Sequence, residues 1–375
     1  MKTVQRSNRF DRMEGREAGV SLRDNGMAEM AALEGVSVWW EDDSVKAGRL
    51  VKGATIEQWT KAAGMDFLIK KAAVRYYADR AQTKLMTMQD QVALIRSDTG
   101  EALGIVSPDY NIVQPFEVME FFREPVENMG FELTTAGTLF GGKRFWALAK
   151  ITEGVISGWD KIGAYLLLTT GADGATATEG RQISICVVCA NTLRLALLEE
   201  NNKRARQSHR SRYDEKRLKA DLGLAADLFP KFIETANELS RVKVSDAVAD
   251  EFVMKLLSGG AAQAEVQQVV AEQSQGDSLA DLLNKPYILP EIEIEGKARR
   301  PRGMDAILQL FEGEGMGATQ KGRASTAWGL VNAVTEFTDH HSTAKTADHR
   351  VAKAWFGSGE ALKAEAMQQA IAQFL

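Results

Sequence analysis

A basic segment at residues 203–213 carries the residue types best suited to bind a ligand, and it contains no acidic side chain. Ammonium and guanidinium groups at this density neutralise phosphates and release counterions, which makes binding salt-dependent. Aromatic rings among them would stack on unpaired bases. The segment therefore predicts binding of single-stranded DNA or RNA, and the alternative is a solvated loop that leads into a helix. The predicted contact residues are Lys203, Arg204, Arg206, His209, Arg210, Arg212 and Tyr213, followed by Lys216 and Arg217 on the next helix.

A glycine-rich loop at residues 313–323 shares one property with phosphate-binding loops, because Gly317 and Gly322 have the outer spacing of that motif. Arg323-Ala324 replaces its Lys-Ser/Thr pair, however, and no clear strand precedes the loop. We therefore predict a flexible surface loop. Its Lys321 and Arg323, together with a basic stretch at residues 297–302, would extend the nucleic-acid groove.

Acidic and imidazole side chains recur at helical spacing in residues 325–341. Glu336 and His340 stand one turn apart, a spacing that metal-binding helices use. With Asp339 and His341 they form a candidate metal site, although the His-Glu-x-x-His pattern of zinc peptidases is absent. The competing interpretation is that Asp339 and His340 make buried hydrogen bonds or cap the end of the helix.

Four further residues of chemical interest are predicted to lie in the core. Cys186 and Cys189 form a Cys-x-x-Cys motif, but zinc needs two further ligands and the chain has no other cysteine. Free cysteine packs as a small hydrophobic residue, and thiols without a disulfide framework suit a reducing cytoplasm. Trp328 and Asn332 would order their helix against the β-rich half, with the amide satisfied internally. No cofactor and no Ser/His/Asp catalytic arrangement is predicted.

The composition is that of an ordinary globular protein. The 375 residues are 45% hydrophobic and 26% charged, with a formal net charge of -5, which argues against a uniformly basic nucleic-acid coat but not against a local groove. No apolar stretch approaches the roughly 18 residues that a membrane span needs, so no membrane partner is expected. The polar N-terminus lacks the apolar region of a secretory signal, and we predict a cytoplasmic protein.

The pattern of apolar residues and turn signals predicts an α+β fold, an antiparallel β-meander with one early helix followed by a helical C-terminal half. The predicted division is a disordered leader at 1–35, a β-rich core at 36–200 and a helical region packed on it at 201–375. Strands are predicted at 67–77, 92–96, 102–107, 131–135, 144–151, 162–170 and 183–188, with an early helix at 115–129 that Pro125 kinks or ends early. Helices are predicted at 55–63, 191–200, 214–240, 245–257, 304–311, 325–341 and 360–375.

Five sets of residues, in order along the chain, carry a resemblance to a known family. They are Leu103-Gly104-Ile105-Val106-Ser107 with Tyr110 and Gln114; Gly141-Gly142-Lys143-Arg144 with Trp146; Leu166-Leu167-Leu168-Thr169-Thr170 with Asp173-Gly174; Val188-Cys189-Ala190-Asn191-Thr192-Leu193; and residues 326–340. Together they resemble the phage/plasmid-like protein family, a domain of unknown function found in phages, plasmids and their hosts. Members often carry a Trp-His-Gly-Leu-Gly-like stretch near the N-terminus, where this chain has only Trp39 and Trp40. The resemblance implies a mobile-element context and no biochemistry.

The order hairpin, helix, antiparallel meander, helix is similar to that of the phage annealases of the Erf and Sak type. This similarity, with the basic segment directly after the meander, implies a phage or plasmid DNA-metabolism protein that binds single strands and works as a homo-oligomer in annealing. It would need no catalytic residue, and it would act in the bacterial host cytoplasm. The first alternative is a metal-dependent enzyme acting on nucleic acid or a nucleotide. The second is a non-catalytic host-interaction or inhibitor protein.

Overall fold

The larger of two β-sheets is an antiparallel meander that further strands extend at both edges. The computed structural model describes residues 29–34, 36, 48–186, 192–194, 205–222, 228–258 and 300–375. The strands of this sheet are β1 (Glu29–Leu33), β2 (Gly48–Leu50), β6 (Glu132–Leu139), β7 (Arg144–Ile156), β8 (Asp160–Gly171), β9 (Thr178–Cys186), β10 (Thr192–Arg194) and β11 (Ala205–Gln207). Their order is β10-β9-β8-β7-β6-β1-β2, and β11 also pairs with β9. Only the β1–β2 pair among these is parallel.

The smaller sheet has the order β3-β4-β5 and is antiparallel throughout. Its strands are β3 (Ile69–Tyr77), β4 (Leu85–Arg96) and β5 (Ala102–Val106). The predicted hairpin is therefore present, but β4 begins well before residue 92, because Leu85-Met86-Thr87 pairs with the end of β3. The alternating polar residues there gave too weak an apolar pattern for a strand to be predicted.

The early helices follow the capping signals of the sequence. In α1 (Ile56–Ala62) the Thr55 side chain accepts a hydrogen bond from Gln58 N, and the Gln58 side chain accepts one from Thr55 N, as in a capping box. The helix predicted at 115–129 is divided into α2 (Pro115–Glu120) and α3 (Arg123–Asn128). Pro125 explains the division, because it cannot donate a hydrogen bond to Phe121 and its ring crowds that carbonyl.

The C-terminal half is mostly helical, which confirms the predicted α+β architecture. Two of its helices, α7 and α8, each continue into a π-helical turn, at Leu310–Glu314 and Phe337–His341 respectively. None of the helices in the described ranges combines the length and apolar character that a membrane span requires. The helices are α4 (Glu215–Leu222), α5 (Leu228–Leu239), α6 (residues 246–258), α7 (Met304–Gln309), α8 (Ala327–Glu336), α9 (Ala347–Phe356) and α10 (Ser358–Phe374).

Three apolar clusters hold the helices on the two faces of the large sheet. Successive residues of a strand point to opposite faces, so Phe145 of β7 packs with α1 and α2 while Trp146 packs with Trp355 of α9. The third cluster joins the far end of the meander to α5, α8 and α10. The meander is thus covered on both sides, which fixes the positions of its turns.

Three local expectations differ from the structure. Residues 192–194, predicted as helix, form β10 and pair with β9. Residues 29–33, expected in a disordered leader, form β1 and pair with β6. The helix α9 was not predicted, although Thr346 provides its N-cap by accepting a hydrogen bond from His349 N. A short strand such as β1 depends on a partner far along the chain, so local periodicity does not reveal it.

Candidate nucleic-acid interface

A pocket of about 350 Å³ opens where the basic segment meets the end of the meander. Three chain segments line it: residues 105–110 at the end of β5 and just beyond it, residues 174–177 in the turn between β8 and β9, and residues 206–210 at the end of β11 and just beyond it. The first and third segments are joined directly, because Asn111 N donates a hydrogen bond of 2.8 Å to His209 O. The structure therefore brings part of the predicted basic segment to a concave site.

A tight turn sorts the side chains of the basic segment into buried and exposed ones. Ser211 N donates to Ser208 O at 3.2 Å, and Arg210 N donates to Ser208 Oγ at 3.1 Å. The turn directs His209 inward, where it is buried, and leaves Arg210 exposed. Polar residues with short side chains favour such turns because they satisfy the local backbone.

Arg206 and Arg210 supply the positive charge of the pocket. Both side chains are exposed, and no ion pair found in the described parts of the chain involves either of them. One acidic side chain, Asp109, also lines the pocket. A guanidinium group without an acidic partner can form paired hydrogen bonds to a phosphate.

The remaining predicted cations continue from the pocket toward α4. Arg212, Lys216 and Arg217 are exposed, and the Arg217 Nε atom lies 3.6 Å from Asp221 Oδ2. An exposed pair of this kind contributes little to stability and does not prevent a phosphate contact. Lys203 and Arg204 lie outside the described residues.

His209 connects the three walls of the pocket instead of facing a ligand. Its ring stacks on the ring of Tyr110, and its Nδ1 and Nε2 atoms lie 2.9 Å from Asn111 O and 3.1 Å from Thr176 O. Burial lowers the pKa of His209 and outweighs the two carbonyl contacts, which act in the opposite direction. The base-stacking role expected for His209 is therefore not available in this conformation.

Tyr213 is also part of the core. It is half-buried, packs against the apolar cluster on the α2 face, and its buried hydroxyl has no hydrogen-bond partner among the described residues. Burial raises the pKa of this phenol. As with His209, a base-stacking role does not fit the position of the ring, which the charge pattern alone could not show.

The turn between β8 and β9 is made rigid by Asp173. Its Oδ1 atom accepts hydrogen bonds from Ala175 N and Thr176 N, and its Oδ2 atom accepts one from Thr176 Oγ1. Burial alone would raise the pKa of Asp173, but the hydrogen bonds from Thr176 and Ala175 hold it below the ordinary value. Arg144 Nη2 adds a hydrogen bond of 2.8 Å to Thr176 Oγ1. This wall of the pocket is therefore preorganised.

Gly104 allows the first wall to approach the turn. A Cβ atom at this position would lie 2.9 Å from both Ala172 O and Asp173 C, which are backbone atoms that cannot move independently. The strand β5 can therefore pass the end of β8 closely only because residue 104 has no side chain. The sequence contained this signal, a glycine inside a predicted strand, but its partner was not identifiable.

The alternative metal site does not form. Glu336 accepts a hydrogen bond from Met316 N at 3.0 Å, and Asp339 Oδ1 lies 2.6 Å from Lys363 Nζ in a buried ion pair. The rings of His340 and His341 are 6.5 Å apart, and His341 Nε2 is 4.0 Å from Glu336 Oε1. Within the described ranges, no group of three or more His, Cys, Asp or Glu side chains is arranged to hold a metal ion.

Arg323, expected to extend the groove, is instead a buried residue that orders the glycine-rich loop. It is 1% exposed, and its Nε and Nη2 atoms each donate a 2.8 Å hydrogen bond to the carboxylate of Asp160. Its Nη1 atom donates to Met316 O. Trp328 Nε1 donates to the same carboxylate at 3.0 Å, which confirms that Trp328 is a core residue. The loop is therefore fixed to the start of β8.

The other expectations for this region have mixed outcomes. Asn332 is buried and donates to Trp328 O at 2.8 Å, as predicted for a satisfied amide. Cys186 is buried, as predicted, and its Sγ atom lies 2.8 Å from Arg323 Nη2. Arg300 pairs with Asp250 and Asp305 on the surface. Cys189, Lys297 and Arg299 lie outside the described residues.

A family model described as a domain of unknown function (DUF932) matches residues 102–355. The matched range begins with β5 and includes all three walls of the pocket, whereas β3 and β4 precede it. No curated protein and no solved structure matches the chain.

Proposed function

The chain belongs to the family described as a domain of unknown function (DUF932), and from that starting point we propose that it binds single-stranded nucleic acid through the pocket of Arg206 and Arg210. The pocket is the place where the structure offers free positive charge, a concave surface and rigid walls together. The wider proposal is a phage or plasmid DNA-metabolism protein in the bacterial cytoplasm, which anneals strands as a homo-oligomer.

The exposure of Arg206 and Arg210 in one pocket is the observation that carries the proposal. The whole chain has a net charge of -5, so the positive charge of the pocket is opposite in sign to the net charge of the protein. Two guanidinium groups in one recess suit two neighbouring phosphates of a strand, because each group binds a phosphate through two hydrogen bonds. A volume of about 350 Å³ lies within the range of ordinary ligand pockets.

The pocket would hold the backbone of the strand and leave its bases unpaired. Arg206 and Arg210 would bind phosphates inside the pocket, and Arg212, Lys216 and Arg217 would attract the following phosphates as the strand leaves toward α4. Such contacts carry no sequence information by themselves. The proposed activity is therefore sequence-independent binding, which needs neither a nucleotide nor a catalytic residue.

The test measures fluorescence polarisation of a labelled oligo(dT) strand at increasing salt. We expect tight binding at low salt, with the logarithm of the association constant falling linearly with the logarithm of salt concentration. The double variant Arg206→Gln/Arg210→Gln should weaken binding and reduce the slope by roughly 0.7 for each phosphate that the protein no longer neutralises. Arg241→Gln removes an exposed arginine and should leave binding unchanged. Its neighbour Ser240 bonds to Ser157 in the turn between β7 and β8, at the opposite end of the meander from the pocket.

Binding that is undetectable or insensitive to salt would overturn the proposal. An equal loss of affinity in the Arg241→Gln control would also count against it, since the effect would then reflect total charge. A negative result for the wild type would favour the alternative of a non-catalytic host-interaction protein. Native mass measurements with and without the oligonucleotide would test the oligomer.

A further inference from the structure

The strands β3 and β4 extend beyond the rest of the small sheet as a two-stranded ribbon. The pairing of β5 with β4 covers only Val92–Ile95 of β4, whereas β3 and β4 remain paired out to Tyr77 and Leu85. A two-stranded ribbon is marginally stable in water by itself. Because no third strand pairs with the outer part of this ribbon in the described residues, the stability of the sheet does not explain its presence.

The outer end of the ribbon exposes large apolar side chains on both faces. Tyr76 and Tyr77 are 46% and 52% exposed, and their cross-strand neighbours Met86 and Leu85 are 39% and 49% exposed. Opposite residues of an antiparallel pair share a face, and successive residues alternate. Each face therefore presents one tyrosine ring beside one aliphatic side chain.

The ribbon is strongly basic within an acidic chain. Residues 69–96 contain six basic and two acidic residues. One of the acids, Asp79, is used in the tip, where its Oδ1 atom accepts hydrogen bonds from Thr83 N and Lys84 N. No ion pair in the described part of the chain joins an acid to any of four exposed cations of the ribbon. These cations are Lys70, Arg75, Arg80 and Lys84.

One face of the ribbon is continuous with the pocket. Across the register shift between Ala73 and Arg75, β3 advances two residues while β4 advances five, so the extra residues lie on β4. β3 therefore keeps the two-residue period of a strand, which places Lys70, Ala72 and Tyr76 on one face together with Val74. Ala72 is opposite Ala93 on β4, which in turn is opposite Ile105 on β5. Ile105 is 56% exposed and lines the pocket. Along β3, small and apolar side chains therefore connect the tyrosine to the pocket.

The base of the ribbon is also attached to the pocket wall. Lys71 Nζ donates a 2.5 Å hydrogen bond to Pro108 O, within the segment that follows β5. Ala72 and Ile105 are two strand spacings apart, about 10 Å, and Tyr76 is four residues farther along β3, about 13 Å. A single strand of several nucleotides would cover this distance.

We propose that the β3–β4 ribbon is a second contact region for the same single strand, in which Tyr76 stacks on a base and Lys70 binds a phosphate. This rests on the proposed function. Basic charge beside exposed aromatic rings is the pattern of sequence-tolerant strand binding. An interface with a second copy of the chain would bury mainly apolar surface. The four exposed cations, which have no acidic partners in the described part of the chain, favour a polyanion instead. The residues of the ribbon precede residues 102–355, which the family model matches. The ribbon would therefore add a contact region to the pocket, which lies within the matched range.

The test compares oligo(dT) strands of about 4 and about 12 nucleotides. Among single-strand binders, the first length is at the lower end of the range of site sizes and the second is in its upper half. Tyr76→Ala should weaken binding of the long strand by about fivefold or more and leave the short strand unaffected. The matched control, Tyr76→Phe, keeps the ring and should bind both strands as the wild type does. Lys70→Gln should lower the salt slope for the long strand alone.

The results separate the two proposals. If the wild type binds and the Arg206→Gln/Arg210→Gln variant does not, while the Tyr76→Ala and Lys70→Gln variants bind both lengths normally, the ribbon proposal is wrong and the pocket remains. Equal reductions in affinity for both lengths in the alanine variant would also overturn it. A fall in native mass without a length-dependent reduction would show that the ribbon joins copies of the chain. If the wild type binds neither strand, the proposed function itself fails.

Discussion

The imidazole ring of His209 stacks on the phenol ring of Tyr110, with the ring centroids 4.6 Å apart and the planes inclined by 13°. The two residues come from different walls of the pocket, and Tyr110 in turn donates a hydrogen bond of 3.0 Å to Gly171 O at the end of β8. This stacked pair therefore sets the distance between the basic turn and the end of the meander.

Stability should depend on the protonation of His209. Burial lowers its pKa below the ordinary value of about 6.5. The unfolded chain therefore binds a proton that the folded chain resists, so the free energy of unfolding should fall as the pH drops below about 6.5. The other charged or titratable groups near the ring are Asp173, which stays ionised because its pKa is lowered, and Tyr110, whose pKa is raised by burial.

The measurement is urea denaturation at several pH values for the wild type and for His209→Gln. The difference between the two proteins isolates His209, because the other three histidines are present in both. We expect the variant to be less stable near neutral pH and to lose less stability on acidification. Parallel curves for the two proteins would contradict the assignment of a buried neutral imidazole.

Gly104→Ala should disturb the pocket as well as the fold. The added Cβ atom would lie 2.9 Å from the backbone at Ala172 and Asp173, so β5 and the turn must separate. We expect a loss of about 1–3 kcal/mol of stability, as for other overpacked sites, and weaker binding of oligo(dT). Ala102→Ser, an exposed change on the same strand, serves as the control. Unchanged binding and stability in the glycine variant would argue against the close approach.

Lys363→Met should be strongly destabilising. It removes the ammonium group that lies 2.6 Å from Asp339 Oδ1, in a pair where both side chains are nearly inaccessible. Burial lowers the pKa of Lys363, and the nearby Asp339 acts in the opposite direction. Breaking a buried pair by removing one partner typically costs about 3–5 kcal/mol. Thermal unfolding should show a much smaller loss for the double variant Lys363→Met/Asp339→Leu, which removes both charges.

Arg323→Lys should loosen the glycine-rich loop. A lysine cannot reproduce the two parallel hydrogen bonds to Asp160 together with the bond to Met316 O. We expect a loss of about 2–3 kcal/mol and faster limited proteolysis within residues 313–322. Arg300→Lys changes an arginine in exposed ion pairs and should have little effect. Equal cleavage of wild type and Arg323→Lys would show that the loop does not depend on Arg323.

The sequence predicted those features that depend on neighbouring residues. The capping box at Thr55 and the antiparallel meander required only local patterns, and the apolar surroundings of Trp328 followed from helical spacing. Whether a basic side chain is buried or exposed depended on residues far away in the sequence. Arg323 and Asp160 are separated by 163 positions, so no local pattern could distinguish this buried arginine from the exposed Arg210.

The same separation explains the partial prediction of the site. The basic segment was identified from its charge, and Arg206 and Arg210 do lie in a pocket. The inward orientation of His209 depends on Asn111, 98 positions away, and could not be inferred from composition. The sequence did not indicate the ribbon as a candidate binding region, because its cations are separated by uncharged residues and come together only when β3 pairs with β4.

The cations of the ribbon should also affect the solution behaviour of the protein, because β3 is an edge strand. β3 is the outermost strand of its sheet, so its unpaired edge can template hydrogen bonding to a strand of another molecule. Lys70 and Arg75 on this edge repel an identical strand at low ionic strength, whereas salt screens that repulsion within about 10 Å at 0.1 M. High salt should therefore remove the electrostatic protection of this strand against aggregation, in addition to weakening the proposed binding of a polyanion.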